Sequence, residues 1–183
     1  RDLVRSRGLG DVYKRQPLVS IIMGSTSDLP VMEKAMKFLD EMEVPFEVNA
    51  LSAHRTPDAV ETFAKEAAGR GLKVIIAGAG MAAALPGVIA ASTTLPVIGV
   101  PIKGNALDGM DAMLSIIQMP PGIPVATVGV NGAMNAAILA VEIMALADAS
   151  LAEKMKNYKD GLGAKIEKAN KDLAEVKYNF KTN

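Results

Sequence analysis

Apolar runs separated by glycine-rich polar breaks divide the chain from Leu18 onward into repeating strand, turn and helix units. Leu18 to Met23 (L-V-S-I-I-M) is short, β-branched and apolar on both faces, as a central parallel strand should be. The break G-S-T-S-D-L-P follows, with Gly24 for a tight turn, Ser27 or Asp28 as a helix cap and Pro30 in the first helical turn. The spacing of Val31, Ala35, Phe38, Leu39 and Met42 predicts a helix to about Met42. Phe46, Val48 and Ala50 then alternate with Glu47 and Asn49, a second strand with one less buried face. After the loop A-L-S-A-H-R-T-P, Thr56 and Pro57 read as cap and first helical residue, Asp58 and Glu61 place negative charge in the first turn, and Gly69 and Gly71 end the helix.

Three more units repeat the pattern. Val74 to Ala77 is a third buried strand, leading through G-A-G-M-A-A-A-L-P-G into an alanine-rich helix that ends near Ser92. Pro96 to Val100 is a fourth strand, and P-I-K-G-N-A-L-D-G leads to a helix over Met110 to Gln118. Val125 to Val128 is the fifth strand, followed by G-V-N-G-A-M-N and an apolar helix to about Ala147. Five such units predict an α/β fold, a three-layer αβα sandwich with a parallel five-stranded sheet between helices. Ligands of such sheets bind beyond the carboxyl ends of the strands, so the five strand-to-helix turns mark the functional edge.

Beyond this unit, at residues 17–149, lies a C-terminal helical extension at 150–183. Leu151, Met155, Tyr158, Leu162, Ala169, Leu173, Val176 and Phe180 form an apolar seam on a charged helix, which Gly161 and Gly163 are expected to bend or interrupt. A seam projecting from a finished domain needs another surface, and a neighbouring subunit supplies one, so a homo-oligomer is expected. Residues 1–16 stand apart: they lack an initial Met, carry five basic residues against two acidic and show no period. We treat them as a non-native or disordered segment rather than a signal peptide, for they have no apolar stretch of the kind a signal requires.

Composition narrows the chemistry. Half the residues are hydrophobic but only 4% are aromatic, so the core is aliphatic and no stacking platform exists for flavin or single-stranded nucleic acid. A formal net charge of zero with no basic stripe argues against a nucleic-acid partner, and no apolar run reaches the ~18 residues of a membrane span. With no cysteine and one histidine, neither disulfides nor a zinc site is expected, and a reducing cytoplasm suits the composition. The motif G-x-x-x-x-G-K-[ST] is absent, as is a G-x-G-x-x-G followed by an acidic ribose reader, which weakens ATP and NAD chemistry.

That leaves the histidine loop. His54 carries the only side chain of the sequence whose unperturbed pKa falls near neutrality, and it lies on a strand-to-helix loop at the ligand edge beside Arg55, whose planar fork suits phosphate. A loop histidine and a solvated arginine are the bland alternatives. In G-S-T-S-D, Ser25, Ser27 and the helix-start amides could meet an anion, or the motif could simply cap a helix. Asp28 would repel phosphate, so a ligand contact there means ribose hydroxyls. The glycines and alanines of G-A-G-M-A-A-A-L-P serve either close packing or backbone contact to a ligand. Lys103 on the fourth loop reads as a solvated lysine with ligand within reach.

Taken together, G-S-T-S-D, S-A-H-R-T-P, A-G-A-G-M-A-A-A-L-P-G, G-V-P and S-I-I-Q-M-P-P-G-I-P-V-A-T-V closely resemble the N5-carboxyaminoimidazole ribonucleotide mutase family of purine biosynthesis, in family order from about Val19 to Ala149. The resemblance implies a flavodoxin-like fold, a cytoplasmic homo-octamer with C-terminal helices packed on neighbours, and an isomerase. It would move a carboxylate from N5 to C4 of an aminoimidazole ribonucleotide through a carbon dioxide intermediate, with no metal, ATP, biotin or other cofactor. By the same resemblance His54 is the general acid/base, Ser52, Arg55 and Ser27 contact phosphate, and Asp28 contacts ribose. Ser25, Ala79, Gly80 and Leu85 are ligand-loop positions.

Two positions depart from the family pattern: Ala84 stands where many bacterial members have histidine, and Met81 replaces a common glycine. The first removes any contribution of a second histidine and opens the alternative of a carboxylase that takes free carbon dioxide and aminoimidazole ribonucleotide. A non-enzymatic flavodoxin-like module fares worse, since the third and fourth loops hold no aromatic residue for flavin and Gly78 occupies the place where a phosphoryl receiver needs aspartate.

Overall fold

The computed structural model describes residues 16–182. Its sheet contains β1 (Val19–Met23), β2 (Phe46–Ala50), β3 (Val74–Gly80), β4 (Val97–Ile102) and β5 (Ala126–Thr127), in the order β2-β1-β3-β4-β5. All pairings are parallel, with Ile21 opposite Val48 and Ile76, and Ile76 in turn opposite Ile98. This is the flavodoxin-like order, which reverses direction between β1 and β3. The helices are α1 (Leu29–Glu41), α2 (Pro57–Ala67), α3 (Leu85–Ala91), α4 (Met110–Ile117), α5 (Ala133–Ala145) and α6 (Ala149–Ala174).

Strand periodicity sorts the side chains into two cores. Val19, Ile21, Ile76, Ile98 and Val100 pack with α1, α5 and the start of α6, whereas Ile22, Ile75, Ala77 and Val97 pack with α2, α3 and α4. The double-sided burial of β1, β3 and β4 explains why they read as continuous apolar runs. Edge strand β2 departs from simple alternation: Val48 is 40% exposed, while Glu47 accepts from the buried Ser20 hydroxyl at 3.0 Å and pairs with Arg70. Its polar residues serve that network rather than open solvent. Residues 1–15 of the segment set apart in the sequence lie outside the described residues, but Gln16 belongs to the fold and donates from its side-chain amide to the Arg70 carbonyl.

Helix boundaries follow the expected caps with revisions. Ser25, not Ser27 or Asp28, supplies the first side-chain cap, accepting from the Ser27 amide at 3.3 Å in a short 3-10 turn at Thr26–Asp28 before α1. On α1 the buried set is Met32, Ala35, Phe38 and Leu39, with Val31 displaced to the flank. Gly161 and Gly163 do not interrupt α6, which is continuous from its cap Asp148, whose carboxylate accepts from the Ser150 and Leu151 amides at 2.9 and 3.1 Å. Only its first turns are docked, through buried Leu151 and Met155 and an edge-to-face contact of Tyr158 with Phe38 at 5.0 Å. The adjacent turns of the same helix supply the i→i−4 bonds that hold a glycine in place, at a cost of about 1 kcal/mol for each glycine relative to alanine.

The core leaves no room at Gly99 of β4, where an added Cβ would stand 2.5 Å from Ile116 Cγ2 and 3.0 Å from Val125 Cγ1. Gly99→Ala is therefore expected to lower the unfolding free energy by about 1–3 kcal/mol through overpacking. Urea denaturation of the variant checks this, and an unchanged midpoint would show that α4 shifts freely.

Candidate functional site

Three adjacent turns at the carboxyl edge of the sheet enclose a cavity of about 450 Å³. The β1 turn contributes Gly24, Ser25, Ser27 and Asp28, the β2 loop Ser52, Ala53, His54 and Arg55, and the β3 turn the stretch from Ala79 to Leu85. A volume of this size suits a small molecule. The site lies where strand order reverses, because β1 and β3 are neighbours and their following helices leave on opposite faces.

The β2 loop is built by its own side chains. Thr56 does not cap α2. Its hydroxyl instead accepts from the Ser52 amide at 3.0 Å and donates to the Ser52 carbonyl at 3.1 Å, closing the loop on itself. Ser52 Oγ accepts from the backbone amide and Nε of Arg55 at 3.2 and 3.4 Å. Arg55 Nη2 then reaches across to the neighbouring turn and donates to the Gly24 carbonyl at 2.8 Å. Only two of its five N–H donors are involved in these side-chain bonds, so the guanidinium can hold both turns and still offer donors to an anion. His54, between Ser52 and Arg55, is exposed at the cavity and makes no hydrogen bond to the described residues.

On the β1 turn, the Ser27 hydroxyl donates to Asp28 Oδ1 at 3.3 Å. Burial pushes the Asp28 carboxyl above the ordinary aspartate range, and hydrogen bonds from Ser27 and from the Ser25 and Gly24 backbone partly offset this. The β3 turn brings backbone rather than side chains: Ala79 and Leu85 are buried, and a Cβ on Gly80 would stand 3.2 Å from the Ile102 carbonyl oxygen.

All nine residues singled out in the sequence, His54, Ser25, Ser27, Asp28, Ser52, Arg55, Ala79, Gly80 and Leu85, line this one cavity. The fourth and fifth loops do not line it, and Lys103 is paired with Asp108 at 2.9 Å. Sequence patterns gave no signal for the Gly24 carbonyl as an arginine acceptor, which is a tertiary contact across 31 positions. Among the described residues there is no cluster of His, Cys, Asp and Glu that could hold a metal ion, and no helix long and apolar enough to cross a membrane.

Fold and cavity together define a doubly wound α/β protein with a small-molecule site at the carboxyl edge of its sheet. The chain belongs to the AIR carboxylase family, whose model matches residues 18–165. It is 58% identical over 146 residues to the N5-carboxyaminoimidazole ribonucleotide mutase of Pyrococcus abyssi, covering 80% of this chain and 84% of that protein. Against the phosphoribosylaminoimidazole carboxylase of Saccharomyces cerevisiae the identity is 57% over 143 residues, 78% of this chain but 25% of the longer yeast protein. The crystal structure of Treponema denticola PurE matches with a TM-score of 0.78 at 32% identity, covering 86% of this chain and 98% of that one.

The Asp28 environment has a pH consequence. A carboxyl whose folded pKa is raised binds its proton more tightly in the folded than in the unfolded state, so ionised Asp28 costs stability at neutral pH and the cost is relieved as pH falls through the folded pKa. Asp28→Asn is expected to raise the melting temperature of the ligand-free protein at pH 7, with the gain over wild type shrinking as pH is lowered. Thermal scans from neutral to mildly acidic pH measure this directly.

Proposed function

We propose that this chain is an N5-carboxyaminoimidazole ribonucleotide mutase, an isomerase that forms 4-carboxy-5-aminoimidazole ribonucleotide in de novo purine (IMP) synthesis. The observation that carries the proposal is the meeting of the sole imidazole, an arginine with free donors and an aspartate in one cavity of suitable size. The high identity to relatives of that name supports the same reaction.

The roles divide by charge and position. Arg55, with Ser52 and Ser27, holds the 5′-phosphate, as a guanidinium backed by hydroxyls suits a dianion. Asp28 accepts from ribose hydroxyls. Ser25, Ala79, Gly80 and Leu85 shape the walls and present backbone to the imidazole ring. His54 moves the proton. As imidazolium it protonates N5 while the N5 to carboxylate bond breaks, releasing carbon dioxide and aminoimidazole ribonucleotide. C4 then attacks the retained carbon dioxide, and its proton returns to the His54 nitrogen, restoring the starting form. One acid/base suffices for both steps, and confinement supplies proximity. No cofactor enters this scheme.

We place residues 17–149 as the catalytic unit and 150–183 as an extension for assembly. Every described residue from 161 to 180 is exposed, including Leu162, Ile166 and Leu173 on α6, an apolar row that a second copy would cover. A homo-octamer built through these helices is the assembly we propose, and the cysteine-free chain suits the reducing cytoplasm in which we place it.

The test supplies N5-carboxyaminoimidazole ribonucleotide beside a carbon dioxide trap. Conversion without loss of carbon to the trap supports the mutase; product that forms only from aminoimidazole ribonucleotide and added carbon dioxide supports the carboxylase, the reading left open by Ala84. His54→Asn is expected to lower kcat by at least about 10²-fold while nucleotide affinity is retained. Arg55→Ala should raise KM by about 10–100-fold, the effect of losing hydrogen bonds to a charged group. Near-wild-type turnover in the His54 variant would exclude the proposed acid/base.

A further inference from the structure

The mutase reading gives Ser52 and Arg55 the task of holding phosphate, and the following rests on that reading. Leu51 and Ala53 pack against one core, but Ser52, His54, Arg55 and Thr56 belong to neither. Hydrogen bonds, rather than packing, must therefore set the directions of the polar side chains on this loop.

Thr56 supplies several of those bonds at once. Its hydroxyl accepts from the Ser52 amide at 3.0 Å and donates to the Ser52 carbonyl at 3.1 Å, while its own amide donates to the same carbonyl at 2.8 Å. The backbone of Ser52 is thus held on both sides by a single residue four positions on. Thr56 does this instead of serving its own helix. It stands before Pro57, where a threonine ordinarily caps, yet its side chain makes no capping bond to the first turn of α2. It is exposed and does not line the cavity.

Ser52 passes the constraint on. Its Oγ accepts from the backbone amide and from Nε of Arg55, at 3.2 and 3.4 Å. A serine hydroxyl has two acceptor lone pairs and one O–H. With both lone pairs engaged by Arg55, the O–H is left to donate, which is the polarity a phosphate oxygen requires. The bond to Nε also fixes the guanidinium whose Nη2 meets the Gly24 carbonyl.

We propose that Thr56 is a positioning residue for phosphate binding: touching no ligand itself, it clamps the Ser52 backbone so that the Ser52 hydroxyl braces Arg55 and presents its own proton to the anion. The helix cap that Thr56 forgoes is the local stability given up for this clamp.

Full-length Thr56→Val keeps the shape of the side chain and removes both hydroxyl bonds. Conversion of N5-carboxyaminoimidazole ribonucleotide is measured over a range of substrate concentrations, below the melting temperature of each variant. KM is expected to rise about fivefold or more, with kcat within about threefold of wild type, as for weakened hydrogen bonds to a charged group. Thr56→Ser retains the hydroxyl and should keep KM within about twofold of wild type. The deciding readout is a double-mutant cycle with Ser52→Ala: because Thr56 acts through the Ser52 hydroxyl, Thr56→Val is expected to change KM by less than about twofold once that hydroxyl is gone. A merely structural role would leave the full effect in place there. An unchanged KM in Thr56→Val, an equal effect in the Ser52→Ala background, or a serine variant no better than valine would overturn this role while leaving the mutase reading intact. Wild-type protein that forms no product would instead overturn the function, and this inference with it.

Discussion

The bond from Arg55 to the Gly24 carbonyl is the constraint on which the site depends. At 2.8 Å it joins the loop after β2 to the turn after β1, two segments that the sheet places side by side. The same guanidinium is braced by Ser52 Oγ, and Ser52 is fixed by Thr56. Positioning therefore runs in a short chain from hydroxyl to hydroxyl to guanidinium to carbonyl, and His54 is carried within it by residues on either side. A site assembled this way holds its geometry before ligand arrives, which limits the ordering that binding must supply.

Below the loops, the sheet sets the depth of the cavity. Residues at Ala79 and Gly80 end β3 with almost no side chain, so the floor is backbone, and Gly80 has its missing Cβ against the Ile102 carbonyl. The two cores hold that floor from both faces, one through α1 and α5 and the other through α2, α3 and α4. Small residues at the carboxyl edge and bulky aliphatics one layer down are two halves of one arrangement: space above, rigidity below. Met81 is the exception on that small-residue edge, and its positive φ shows what its placement costs the backbone.

Much of this was legible in the sequence because periodicity reports burial directly. The runs at Val19 to Met23 and Val74 to Ala77 are apolar on both faces in the fold, and the turns after the first three strands form the cavity. What pattern could not give was tertiary. Thr56 reads as a helix cap because it precedes Pro57, yet its hydroxyl closes the loop onto Ser52, an alternative that competes with capping at similar energy. Glu47 reads as a solvent-facing strand residue, but buried Ser20 and Arg70 recruit it. Gly161 and Gly163 read as breaks because glycine weakens helices, though two such residues within the 26 of α6 do not outweigh the turns around them. Nothing local distinguishes the fourth loop from the first three, and its Lys103 turns to Asp108 rather than to the cavity.

The central claim is that His54 meets the ligand held by Arg55 and Asp28. Because the sequence contains a single histidine, the ring nitrogens of His54 give nitrogen NMR signals that need no assignment by mutation. Titration of labelled protein with aminoimidazole ribonucleotide measures the contact directly. Both ring signals are expected to shift in step with saturation in wild type, and the affinity read from them should weaken in Arg55→Ala. Histidine signals that stay in place while the ligand saturates the protein would contradict the claim.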